Sequence, residues 1–163
     1  MSRHLALGGI LAALLFAAQA VLAFLPNIEL VSLLVILYTL FLGKRVVPVL
    51  LVFALLEGLL YGFGLWWVSY LYVWPLLAGL AALLKRAGAS PFAYAILSGG
   101  FGLSFGLLCA IPYLAGGPGA ALAWWIAGIP FDLVHGAGNL VLALVLFAPL
   151  HRLFSSVLPR IQS

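Results

Sequence analysis

The chain has 163 residues, of which 67% are hydrophobic and only 6% charged, with a formal net charge of +4. A soluble domain is nearer half apolar and a quarter charged, so this composition excludes a water-exposed globule and makes lipid the solvent. The basic residues lie between long apolar runs, where they act as topology signals rather than as a nucleic-acid surface, and no nucleic-acid partner is expected.

A spanning helix needs about 20 apolar residues, which leaves room for about six or seven spans in a single integral membrane domain, 1–163. The first run, LALGGILAALLFAAQAVLAFL (5–25), closes at Pro26-Asn27. It has the outline of a signal peptide, with Ala18-Gln19-Ala20 as a cleavage site, but it continues to Leu25, longer than such cores usually are, and reads as a span. The second run, IELVSLLVILYTLFLG (28–43), is short and ends at Lys44-Arg45. VVPVLLVFALLEGLLYGFGLWW (46–67) is the third, residues 68–84 before Lys85-Arg86 the fourth, and residues 91–114 before the Gly116-Gly117-Pro118-Gly119 turn the fifth.

The last apolar stretch, 120–150, is too long for one span. Gly128 and Pro130 divide it into a short interfacial or re-entrant helix, 120–127, and a sixth span, 130–150, with Pro130 in its first turn. The expected fold is therefore an all-α membrane protein with six transmembrane helices and an interfacial helix before the last. In that arrangement Arg3, Lys44, Arg45, Lys85, Arg86, Arg152 and Arg160, which are all the basic residues, share one side with both termini. The positive-inside rule makes that side cytoplasmic; counting 120–127 as a seventh span would move Arg152 and Arg160 outside.

Two runs carry small residues at four-residue spacing: Gly9, Ala13 and Ala17 in the first, and Ser98, Gly102, Gly106 and Ala110 in the fifth. Such faces let helix backbones approach closely. Packing within the protein is the commoner use, above all for the fifth run, and docking of another membrane subunit is the alternative.

The acidic residues are Glu29, Glu57 and Asp132, and an intramembrane carboxylate is a functional-site hypothesis by default. Glu29, at the outer start of the second run, suits a helix dipole or an external ligand. Glu57 lies about 18 Å into the third run, in its outer half, and either bonds a neighbouring helix or faces a ligand. Asp132 suits a first-turn cap after Pro130, but His135 and Asn139 continue the same stripe. That stripe lines a ligand or bonds between helices. Trp67, Tyr70 and Trp74 form one aromatic face, and Trp124-Trp125 lie in the short outer helix. Interfacial belts account for such rings in any membrane protein, whereas rings beside a few polar groups also describe a small-molecule pocket.

No phosphate-binding loop, HExxH, GxSxG or cysteine pair occurs, and Cys109 stands alone. No cofactor and no metal site is expected. An intramembrane enzyme using Asp132 and His135 remains the alternative to a binding protein.

Three stretches, PNIELVSLLVILYTLFLG (26–43), LLEGLLYGFGLWWVSYLYVW (55–74) and WWIAGIPFDLVHGAGNLVLALVLFAPLHRL (124–153), together with the six-run layout, resemble the substrate-binding (S) components of energy-coupling factor (ECF) transporters of bacteria. The resemblance is architectural and covers nearly the whole chain. It implies a multi-pass protein of the bacterial cell membrane, not an enzyme, that binds a vitamin or related micronutrient from outside. It also implies a membrane T component and two cytoplasmic ATPases as partners, with Gly9, Ala13 and Ala17 as the docking face. Carried over residue by residue, the family's outer pocket would be formed by Glu57, Trp67, Tyr70, Trp74, Trp125, Asp132, His135 and Asn139.

Overall fold

A computed structural model describes the backbone of residues 2–162 and the side chains of 5–158. These residues form six α-helices: α1 (Ser2–Leu22), α2 (Val31–Leu42), α3 (Val46–Tyr61), α4 (Leu65–Arg86), α5 (Pro91–Cys109) and α6 (Pro118–Gln162). Two 3-10 turns, Gly43–Arg45 and Ile111–Gly116, complete the fold, and no strand occurs among the described residues. Five stretches are long and apolar enough to cross a bilayer: Leu5–Leu22, Val31–Tyr61, Leu65–Arg86, Pro91–Gly116 and Pro118–Leu158. The second of these holds both α2 and α3. Around the bundle, Leu59, Leu83, Leu103, Leu133, Leu144 and Val145 are each at least half exposed. An apolar belt of that extent suits lipid and not water, so the chain is a multi-pass membrane protein.

Helix α2 is the centre. It is apolar on every face, the mark of a helix with no solvent side, and all of Val31–Thr39 is buried. The other five helices pack around it. Gly43, at φ +58°, closes α2 and lets the chain reverse, a conformation that side chains with a Cβ resist. As a result the start of α2 and the end of α3 lie at the same end of the bundle, where Glu29 and Glu57 line one cavity. The other end carries the charge. Lys85 Nζ donates to the Leu40 carbonyl at 2.5 Å, and Arg152 and His151 share a groove with Lys85. There α4 ends in a left-handed Gly88, with Gly88 N–H bonded to the Lys85 carbonyl and Ala89 N–H to that of Leu84. This pairing satisfies the last carbonyls of the helix.

Helices α5 and α6 form an antiparallel hairpin in backbone contact. A Cβ added to Gly102 would stand 2.9 Å from the backbone of Gly136, and one added to Gly99 2.9 Å from the Leu140 Cβ. The small-residue face of the fifth run is thus used inside the protein. That of α1 is not: Leu7, Leu11 and Leu15 turn inward, while Gly9, Ala13 and Ala17 are exposed.

Two expectations are corrected. No separate interfacial helix occupies 120–127, because α6 runs unbroken through Gly128 and Pro130. Proline removes one hydrogen bond, whereas opening the helix would strand several backbone groups where lipid offers them no partner. Asp132 consequently lies in the helix interior and is not a first-turn cap. The turn between the third and fourth runs falls at Gly62–Gly64, not at 67–69, so Trp66 and Trp67 belong to the start of α4. Gly62 stops α3 in a left-handed conformation (φ +87°) that Trp67 would resist.

Candidate functional site

At the end away from the basic residues, α1, the 23–30 connection, α3, α4, α5 and α6 enclose a cavity of about 380 Å³. Each polar wall has a local cause. The connection turns at Pro26 and Asn27, the latter at φ +60°, and delivers Glu29 to the start of α2. Glu29 Oε2 accepts the Ser32 N–H at 2.8 Å, satisfying a free amide of the first turn. Its Oε1 lies 3.2 Å from Nε2 of His135, which α6 presents from the opposite wall. Burial works to raise the Glu29 carboxyl, but the His135 imidazole and the Ser32 hydroxyl and amide outweigh it, and the group sits below its ordinary value. It is a carboxylate held by an imidazole and a helix end.

The second polar wall comes from α1 and α3. Gln19 Nε2 donates to Glu57 Oε2 and to the Tyr70 hydroxyl, each at 3.0 Å. Glu57 is 1% exposed, yet its Oε1 has no hydrogen-bond partner. Between the two polar walls runs a series of rings. Trp66 meets Tyr70 edge-on at 5.2 Å, Tyr70 meets Trp74 at 5.4 Å, Trp74 meets Phe105 at 5.7 Å, and Phe105 meets His135 at 5.0 Å. All but the tilted Trp74–Phe105 pair are edge-to-face contacts, which hold rings in fixed orientations. The arrangement suits gripping a small molecule, since apolar walls with a few fixed polar groups describe such sites and about 380 Å³ lies within their usual size range.

Of the residues expected at the pocket, Glu57, Tyr70, Trp74 and His135 line this cavity. The others lie elsewhere. Trp67 donates its indole N–H to the Ala54 carbonyl at 2.7 Å and so ties α4 to α3. Trp125 lines a separate apolar groove between the outer part of α5 and α6. Asp132 Oδ1 accepts the Gly106 N–H at 2.8 Å, and Asn139 Nδ2 donates to Ser32 Oγ at 3.1 Å. The stripe on α6 thus divides by depth, with His135 at the cavity and its neighbours stitching α6 to α5 and α2. Asp132 and His135 have different partners and form no acid–base pair. Among the described residues no three His, Cys, Asp or Glu side chains converge on a metal position.

Gln19, Trp66 and Phe105 line the cavity without having been singled out, and Glu29 takes the first-turn role at the start of α2 while also lining the cavity. For Gln19 a signal existed: it is the one amide in the apolar run of the first helix. Phe105 carried none, because a phenylalanine in a span usually faces lipid or core.

No protein family, no curated protein and no solved structure matches the chain.

Proposed function

We propose that this protein is the membrane-embedded substrate-binding subunit of an ECF-type uptake transporter, capturing a vitamin-like micronutrient from outside. The cavity walled by Glu29, Glu57, Tyr70, Trp74 and His135 carries the reading, because it opens at the end of the bundle away from the basic residues. Under the positive-inside rule that end is external. On this reading six helices cross the bacterial cell membrane, the short α2 among them, with both termini in the cytoplasm. Transport then requires a membrane T component and two cytoplasmic ATPases, since the chain has no phosphate-binding loop of its own. The exposed Gly9, Ala13 and Ala17 supply a face on which the T component can pack closely.

The enzymatic alternative receives no support from geometry, because His135 is engaged by Glu29 and Asp132 by Gly106. Native mass spectrometry of the purified protein tests the proposal: a small molecule should remain bound, and the chain alone should release it chemically unaltered. Turnover by the isolated chain, or an empty protein that binds no solute, would overturn it.

A further inference from the structure

We infer that the cavity selects a flat aromatic organic cation; this rests on the uptake reading above and narrows it to a substrate class. The first ground is charge. Two carboxylates, Glu29 and Glu57, face the cavity against one imidazole, and no lysine or arginine lines it. Pairing Glu29 with His135 leaves Glu57 as the acidic side chain with no basic partner at the cavity. The second ground is an unmet bond: Glu57 Oε1 is buried in the cavity wall with no donor, although Gln19 serves Oε2. Leaving such an oxygen unpaired is costly, and a cationic N–H or an adjacent positive ring meets that need.

Helix ends point the same way. Leu22 and Tyr61, the last residues of α1 and α3, line the cavity, so two negative dipole ends lie at its walls. The positive start of α2 is already taken by Glu29, which leaves the start of α4 as the opposing end. The third ground is shape. Trp66, Tyr70, Trp74 and Phe105 present ring faces and edges around the space, and aromatic faces attract cations within about 6 Å. An anion would meet two acidic groups, and a neutral ring without a donor would leave Glu57 Oε1 unpaired.

The test uses three matched probes: 1-methylquinolinium, its uncharged analogue 1-methylnaphthalene, and 1-naphthoate. Their binding to the purified full-length protein is followed by tryptophan fluorescence. The cation should bind about tenfold or more tighter than the neutral ring, and naphthoate weakest. Glu57→Gln should bring cation and neutral ring to near parity, while Glu57→Asp keeps a cation preference, with thermal unfolding of each variant reporting on its fold. Should either carboxylate variant fail to fold, the probe order in the unaltered protein decides alone. Naphthoate or the neutral ring binding as well as the cation would overturn the class, as would an undiminished preference in folded Glu57→Gln or no binding by any probe. A retained neutral or anionic solute in native mass spectrometry would defeat this inference and leave the uptake reading standing; a protein binding no solute of any kind defeats both.

Discussion

Helices α1 and α5 carry the same device and use it differently. Both bear small residues four apart, but the stripe on α5 meets the backbone of α6, whereas among the described residues Gly9 on α1 faces open space and Ala13 and Ala17 are exposed. Small-residue spacing therefore marks where a helix can be approached, not who approaches it. In lipid the apolar side chains gain little from leaving their surroundings, so close backbone contact and hydrogen bonds between helices decide association. The α5–α6 hairpin has both: glycine against glycine at Gly102–Gly136, and Asp132 reaching across to the Gly106 amide. The outer face of α1 has the close-contact surface, and among the described residues no second helix covers it.

Substitutions along the two stripes sharpen this contrast. Gly102→Val should have the largest effect, because its Cβ alone would crowd the Gly136 backbone at 2.9 Å. Overpacking of this kind costs about 1–3 kcal/mol or more, so thermal unfolding in detergent should show a large drop or no folded protein. Gly106→Ala comes next: the new methyl overlaps the Asp132 carboxylate, which must leave its hydrogen bond, at about 1–3 kcal/mol. Asn139→Ala removes one bond to Ser32 and should cost about 0.6 kcal/mol, read from the same unfolding curves. Ala13→Leu should be nearly silent, within about 0.5 kcal/mol, while on the uptake reading abolishing copurification with an ATPase pair. If Ala13→Leu unfolds the protein as Gly102→Val does, the two stripes are alike after all. If it leaves the assembly intact, the face on α1 is not where the partner sits.

The layout was legible in the sequence because its punctuation is strong. Pro26, Lys44-Arg45, Lys85-Arg86 and the Gly116–Gly119 turn each interrupt an apolar run, and each falls at or beside a break between helices. Pro130 misled for a physical reason: in lipid the helix tolerates one missing bond more readily than an opened backbone. The cavity was half legible. Glu57 and His135 are conspicuous as polar groups in apolar helices, but the partner of His135 is Glu29, 106 positions away in the chain. Nothing local encodes that distance. Spacing placed Asp132, His135 and Asn139 on one stripe correctly, yet a stripe about 10 Å long passes three different neighbours. Only the packing of α5 and α2 decides which of the three is left facing a space.

The shortness of α2 sets how deep that space lies. Its 12 residues rise about 18 Å, well short of a hydrocarbon core about 30 Å thick. The central post thus spans only part of such a core, and the cavity, a well lined by Glu29 and the 23–30 connection, lies beyond its start. On the uptake reading, a solute entering this well meets Glu29 and Glu57 just beyond the start of the short helix. Post length is therefore a gauge of well depth. One added helical turn would shift Glu29 by about 5 Å and break its 3.2 Å contact with His135 across the cavity.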